Sequence, residues 1–333
     1  MTSSGGDPVG GRGRAPCVRI VVVNWNSGGQ LAECLASLDT MEEDGFAVES
    51  VVVVDNGSRD GSTEVLNPRR RGFVAIRNVE NRGFAAACNQ GAMLCDADYL
   101  LFLNPDARVV PRTVSEVVRF MSTAEADRVG ICGIKLLGED GRVQRHCARF
   151  PSWRNFVAHS LGTRAIARCA PGDFFMYDFD HESSRAVDHV IGAFYFVRRE
   201  LFAELGGFCE DYFLYLEDLD YSLRARRAGW STYYLAEAEA FHRGGGTSAR
   251  IKAARLYYSL RARIIYAFKH FSLFGAFTVA LATLAVEPFP RLFRGAARGS
   301  VSEVVDTLKG YWMLYTDLPG CIGRRSGYSV KYR

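Results

Sequence analysis

Four short apolar runs constrain the fold more than any other feature of the chain: VRIVVVN (Val18 to Asn24), ESVVVVD (Glu49 to Asp55), GFVAIR (Gly72 to Arg77) and DYLLFLN (Asp98 to Asn104). They are continuous rather than alternating, the pattern of parallel strands covered on both faces. Segments with helical character lie between and after them, at Gln30 to Leu38, Gly83 to Cys95 and Pro111 to Met121, the last with proline in its first turn. The expectation is an α/β fold, a βαβα unit with a mostly parallel sheet. At 333 residues, 48% hydrophobic and 23% charged, the chain can bury the core of one large domain plus appendages, and global disorder is excluded.

Lys and Arg exceed Asp and Glu by 41 to 37, too even a balance for a dedicated nucleic-acid binder. Nine cysteines without a CxxC pair argue against a zinc site and a disulfide framework, and fit a reducing, cytoplasmic setting. Residues 1–16 lack the apolar core of a secretory signal and read as a disordered leader. From about Val129 the regular alternation fades. A strand-like VDHVIGAFYFVRR then leads to a helix beginning near Glu217 and closed by Gly229, a strand STYYLAEA, the Gly-rich FHRGGGTS and a long basic aromatic helix from Lys252.

In an open parallel sheet the ligand crevice lies at the carboxyl ends of the strands. Three of those ends are polar here: Asn24-Trp25-Asn26, Asp55-Asn56-Gly57 and Asn104-Pro105-Asp106. One such end is ordinary turn chemistry, but three on one edge make a binding crevice. The first β-to-α turn reads NWNSGGQ rather than GxGxxG, and no P-loop motif occurs, so standard dinucleotide and P-loop sites are set aside. Asp55 is placed to accept hydrogen bonds from a base or ribose. Asp106 is placed to bind Mg²⁺ or Mn²⁺, which take one or two carboxylates together with diphosphate oxygens.

The ordered set VVVNWN, VVVVDNGSRDGS, NRGFAAACNQG, LLFLNPDA, GAFYFVRRELFAELGGF, FLYLEDLDYSLRARRAG and FHRGGGTS resembles the family-2 glycosyltransferases of GT-A fold, in their rhamnosyltransferase-like branch, over roughly Val18 to Phe271. The resemblance implies an inverting transferase that moves a sugar, rhamnose or another hexose, from a dTDP- or UDP-linked donor. Its acceptor is a hydroxyl on a glycan, lipid-linked or natural-product molecule. Asn24, Asn26 and Asp55 would then line the base and ribose pocket, with Asn81, Arg82, Gly83 and Asn89 as a nearby wall. NPDA stands in place of the family's DxD metal motif, with Asn104 where others have the first Asp, which leaves Asp106 as the principal carboxylate. His242 matches a further metal contact, and its alternative is a hydrogen-bonded loop histidine. Asp218 matches the catalytic base. Glu217 and Trp153 are assigned to the acceptor side.

An acceptor hydroxyl must lose its proton as the C–O bond forms, so a carboxylate within reach is needed. Glu217, Asp218 and Asp220 lie within four residues, close enough to raise one another's pKa, although acids at a helix N-terminus also simply complement its dipole. Arg224 is expected to pair with these acids. Gly244 to Gly246 with Thr247 and Ser248 reads either as a lid over a diphosphate or as a surface loop.

The expected organisation is a leader at 1–16, a transferase domain at 17–250 with a nucleotide-sugar half (17–125) and an acceptor half (126–250), and a helical region at 251–333. Two readings of that last region stay open. A basic amphipathic helix, Lys252 to His270, joined to the apolar stretch Phe271 to Phe289 suits peripheral contact with an anionic membrane; the same pattern suits a buried hairpin or a homodimer contact. Two other functions compete: a sugar-nucleotide nucleotidyltransferase, disfavoured by a first loop without Lys or Arg, and an inactive nucleotide-sugar-binding scaffold.

Overall fold

The structure, a computed structural model, describes residues 14–66, 72–162, 174–244 and 251–322. Its centre is a mixed sheet of nine described strands: β1 (Cys17–Asn24), β2 (Ala47–Asp55), β3 (Phe73–Arg77), β4 (Tyr99–Leu103), β5 (Ala107–Val109), β6 (Val129–Leu137), β7 (Arg185–Val187), β8 (Phe194–Arg198) and β9 (Ser231–His242). In space they run β3-β2-β1-β4-β8-β6-β9-β5, with β7 also paired on β9. The β1–β2, β1–β4, β2–β3 and β6–β9 ladders are parallel, and β8 is inserted antiparallel between β4 and β6.

The continuous apolar runs have the expected cause. Val18, Ile20 and Val22 of β1 pack into the core on one face of the sheet and Val21 and Val23 into the core on the other. Helices α1 (Gln30–Asp39), α2 (Phe84–Ala92) and α3 (Thr113–Met121) cover these strands. Helix α2 stops short of the expected Cys95 because Met93 is already extended at ψ 150°; Leu94 then turns left-handed at φ 48°, and the Arg19 guanidinium donates to the Met93 carbonyl at 2.7 Å. Order also begins earlier than expected. The Pro16 carbonyl accepts from Ala47 N–H at 2.9 Å, and Arg14 lies 3.3 Å from Asp98; residues 1–13 of the leader lie outside the described residues.

The remaining helices are α4 (Trp153–Ser160), α5 (Arg199–Glu204), α6 (Glu217–Arg227), α7 (Lys252–His270), α8 (Leu273–Leu281), α9 (Pro288–Ala297), α10 (Val301–Thr316) and α11 (Leu318–Ile322), with a π-helical turn at Ala282–Val286 joining α8 to α9. The run Leu273–Ala297 is long and apolar enough, by length and composition, to cross a membrane. Its one acid is buried in an ion cluster: Glu287 pairs with Arg263 of α7 and, at 2.6 Å, with Arg291. The two cations hold the Glu287 carboxyl below its ordinary range despite the opposing effect of burial.

Candidate functional site

A cavity of about 660 Å³ opens at the carboxyl ends of the strands, lined among others by Trp25, Asn56, Asn81, Gly83, Asn104, Asp106, Tyr215, His242, Arg255 and Tyr258. The chain's turn chemistry explains which strand-end residues reach it. Asn24 is wholly buried; its amide nitrogen lies 2.8 Å from Asp55 Oδ1, 2.9 Å from Ser62 Oγ and 3.0 Å from Ser58 Oγ, and its oxygen accepts from the Ser27 hydroxyl. Asp55 is buried too and also accepts from Ser58 N–H at 3.2 Å. Asn26 takes the left-handed region at φ 49° and accepts from Arg59 N–H at 2.8 Å. These three expected base and ribose contacts therefore stand behind the cavity wall, where they brace the two turns. Trp25 and Asn56, their neighbours in sequence, form the wall instead.

The expected second wall divides in the same way. Asn81 and Gly83 line the cavity, while Arg82 is exposed and off it. Asn89 is a brace rather than a wall: its amide donates to the Phe208 carbonyl at 2.9 Å and accepts from Phe208 N–H at 2.8 Å, fastening α2 to the turn before α6. Gly83 cannot be another residue without a shift. It has φ +88°, and a Cβ there would lie 2.6 Å from the Phe213 carbonyl, which already accepts from Phe84 N–H at 2.7 Å. Phe213 in turn stacks on Tyr258 of α7 with ring centroids 4.4 Å apart, so α2, the loop before α6 and α7 close round one space.

Asn104 and Asp106 both line the cavity. His242 at the end of β9 stands with its Nε2 3.6 Å from Asp106 Oδ1. Gln144 fixes its tautomer: the Gln144 amide nitrogen donates to the His242 carbonyl at 2.6 Å, so the side-chain oxygen, 2.8 Å from Nδ1, accepts the Nδ1–H. Burial lowers the His242 pKa and favours the neutral ring. A lone pair on Nε2 thus faces a carboxylate with no proton between them. A divalent cation satisfies that arrangement, and the residues present fit one: a carboxylate, an imidazole held through its other nitrogen, and open space for diphosphate oxygens and water. Among the described residues no group of three or more potential ligands occurs, so the protein supplies two ligands at most from this set.

The backbone before α6 is strained, with Tyr215 at φ 73° and Leu216 at φ 64°, consecutive non-glycine residues in the left-handed region. That bend sets Asp218 with Oδ2 accepting from Gly192 N–H at 2.8 Å and Oδ1 from Leu219 N–H at 2.8 Å, its side chain 17% exposed. Asp218 is not on the cavity wall itself. It is tied to it, because the residue after Gly192, Ala193, accepts from Asn104 N–H at 3.0 Å. His189, unforeseen in the sequence, lies buried with Nε2 3.8 Å from Asp218 Oδ2, and burial lowers its pKa.

The three neighbouring acids do not act alike. Glu217 is buried, its Oε2 has no partner, and burial with the adjacent Asp218 raises its pKa well above the carboxylate range. It lies off the cavity wall rather than on it. Asp220 moves the other way: His270 at 2.7 Å, Lys269 at 2.8 Å and Arg224 at 2.8 Å outweigh its burial and lower its pKa, so it anchors α6 to the end of α7. Of the three acids, Arg224 pairs with Asp220. Trp153 is not at the cavity; it packs edge-on against Phe274 and lies over Gly275 of α8. The expected lid at Gly244 to Ser248 lies outside the described residues after Gly244. Arg255 and Tyr258 were hidden in the sequence because their spacing on α7 reads simply as one face of an amphipathic helix.

The family profile described as Glycosyl transferase family 2 matches residues 19–206. The N-acetylglucosaminyl-diphospho-decaprenol L-rhamnosyltransferase of Mycobacterium tuberculosis is 28% identical over 248 residues, 71% of this chain and 79% of that protein. Rhamnosyltransferase WbbL of Escherichia coli K12 is 28% identical over 150 residues, 44% of this chain and 53% of that protein. The solved mannosyltransferase PcManGT from Pyrobaculum calidifontis, in complex with GDP-Man and Mn²⁺, superposes with a TM-score of 0.49 at 17% identity, covering 92% of this chain and 88% of that one.

Proposed function

Since the chain belongs to glycosyl transferase family 2 and is therefore a glycosyltransferase, we propose that it moves a deoxyhexose or hexose from a nucleoside diphosphate to a hydroxyl of a lipid-diphosphate-linked glycan, with inversion, at the cytoplasmic face of a membrane. Residues 17–250 form the core of the catalytic unit in this reading, and the helical region 251–333 appended to it lends the cavity Arg255 and Tyr258. The observation that carries it is the His242–Asp106 pair on the wall of a cavity large enough for a sugar nucleotide.

Asp106 and His242 would hold Mg²⁺ or Mn²⁺. When bound, the ion supplies neutralisation of the charge that grows on the leaving diphosphate. The chain's own residues do the rest. Trp25 and Tyr258 offer faces for the base or sugar, Asn81, Asn56 and Asn104 offer amides, and the Arg255 guanidinium at the wall adds a second positive charge for the diphosphate. Asn24, Asn26, Asp55 and Asn89 fix the turns that carry these groups.

Asp218 would accept the proton of the acceptor hydroxyl as that oxygen bonds to the anomeric carbon and the diphosphate departs from the opposite side. The Gly192 and Leu219 amides hold its carboxylate in one orientation. The reading is tested by incubating the protein with dTDP- and UDP-sugars and Mn²⁺ or Mg²⁺. Metal-dependent transfer to a lipid-diphosphate sugar supports it. Nucleotide-sugar binding without transfer to any hydroxyl favours the inactive scaffold, and conversion of the nucleotide sugar to a nucleoside triphosphate and a sugar 1-phosphate when pyrophosphate is added favours a nucleotidyltransferase.

A further inference from the structure

A second space, a groove of about 760 Å³, runs between the first turn of α7 and α10, lined by Ile251, Ala254, Leu308 and Trp312 with Lys252, Lys309 and one acid, Asp306. Ile251 and Ala254 also line the donor cavity, so groove and cavity share a wall. At its other side the groove meets exposed apolar surface: Trp312 is 71% exposed and Leu308 54%.

That surface extends over the neighbouring helices. Phe274 and Phe277 of α8 are 72% and 61% exposed, and Phe289 and Phe293 of α9 71% and 76%. The spacings, three and four residues, place each pair on one helix face, while Ala276, Val279 and Ala280 turn inward. Four phenylalanines and a tryptophan left in water across three adjoining helices are a binding surface. Charge identifies what covers it. The described residues 251–322 carry nine Lys and Arg against four Asp and Glu, net +5, whereas residues 1–250 carry 28 against 33, net −5. A second copy docking by the same face would set one basic region against another, but an anionic lipid surface complements it.

We propose that the outer face of α8, α9 and α10 docks on an anionic bilayer, and that the groove beside Trp312 admits the diphosphate and first lipid segment of the acceptor from that bilayer to the cavity. Lys252 and Lys309 meet the diphosphate, and Trp312 and Leu308 the chain. This rests on the sugar-transfer reading of the cavity, and its test separates the two.

The full chain is floated with phosphatidylcholine vesicles with and without phosphatidylglycerol, and farnesyl diphosphate, which carries no sugar, is titrated as a probe of the groove. The expected results are co-flotation with the anionic vesicles at least about tenfold above neutral ones, its loss in the exposed-face variant F277E/F293E, and farnesyl diphosphate affinity at least about tenfold weaker in K252E/K309E while dTDP or UDP affinity is unchanged. Flotation unchanged in F277E/F293E overturns the docking face. A wild-type dimer that does not float and that F277E/F293E breaks overturns the bilayer in favour of a second copy. Farnesyl diphosphate binding unchanged in K252E/K309E overturns the groove. Absence of nucleotide binding in the wild type tells against the transfer reading instead, since flotation and farnesyl diphosphate binding do not depend on it.

Discussion

Nε2 of His242 lies 3.6 Å from Oδ1 of Asp106, with Gln144 taking the proton of Nδ1, so two electron-pair donors, from β9 and from the turn between β4 and β5, converge on one point of the cavity wall. A structural role alone would be better served by a direct hydrogen bond between imidazole and carboxylate, and the tautomer that Gln144 enforces forbids one.

Asp106→Asn and His242→Ala should each raise the Mn²⁺ concentration needed for half-maximal nucleotide-sugar binding. Gln144→Ala touches neither ion nor nucleotide, yet should weaken metal affinity by about 10- to 100-fold through loss of the tautomer. Titration calorimetry with Mn²⁺ and the nucleoside diphosphate reads all three, and metal affinities equal to wild type would remove the pair from ion binding.

Gly83→Ala should cost about 1–3 kcal/mol of stability from its left-handed backbone alone, and more from the 2.6 Å approach to the Phe213 carbonyl. Because that carbonyl positions the loop carrying Tyr215, donor affinity should fall as well. Chemical denaturation and nucleotide titration on the same sample check both, and a variant of wild-type stability contradicts the packing described.

Stability should fall as the solution is acidified below neutrality. Five of the six histidines, His146, His181, His189, His242 and His270, have pKa values lowered chiefly by burial, His146 to about 3. The unfolded chain takes up protons near pH 6.5 that the folded chain refuses, so this contribution is present above about 6.5 and is lost progressively below it, for His146 down to about pH 3. Urea midpoints at pH 7.5 and 5.0 report the slope; equal midpoints would mean that these rings are not buried neutral.

Breaking the buried ion cluster should be costly in one direction only. Glu287→Gln leaves Arg263 buried without a counter-charge and should lose about 3–5 kcal/mol. Replacing both Arg263 and Glu287 with methionine removes the charges together and should recover most of that loss. A double variant as unstable as the single one would contradict the electrostatic origin.

Much of the nucleotide-binding half was readable in sequence because a two-sided strand has a strong signature: Val18 to Asn24 and Glu49 to Asp55 fall within one or two residues of β1 and β2. The polar strand ends were readable as a crevice for the same reason. Which side chain faces that crevice was not. Asn24 and Trp25 are adjacent and both suit a ligand, and only the hydrogen bonds from Asn24 to Ser58 and Ser62, more than thirty residues away, turn it inward. Glu217 and Asp220 were likewise indistinguishable on α6 until the end of α7 brought Lys269 and His270 to one of them. Trp153 lost its expected role to Phe274, 121 positions later, a contact that no local pattern announces.

Transfer by the Asp218→Asn variant tests the central claim most directly. With a lipid-diphosphate sugar acceptor, the cognate nucleotide sugar and Mn²⁺, wild-type protein should form a glycosidic bond of inverted anomeric configuration, read by NMR of the product. The variant should bind the nucleotide sugar with unchanged affinity and turn over at least about 10²-fold more slowly. Near wild-type turnover by Asp218→Asn, or a product with retained configuration, would contradict the mechanism.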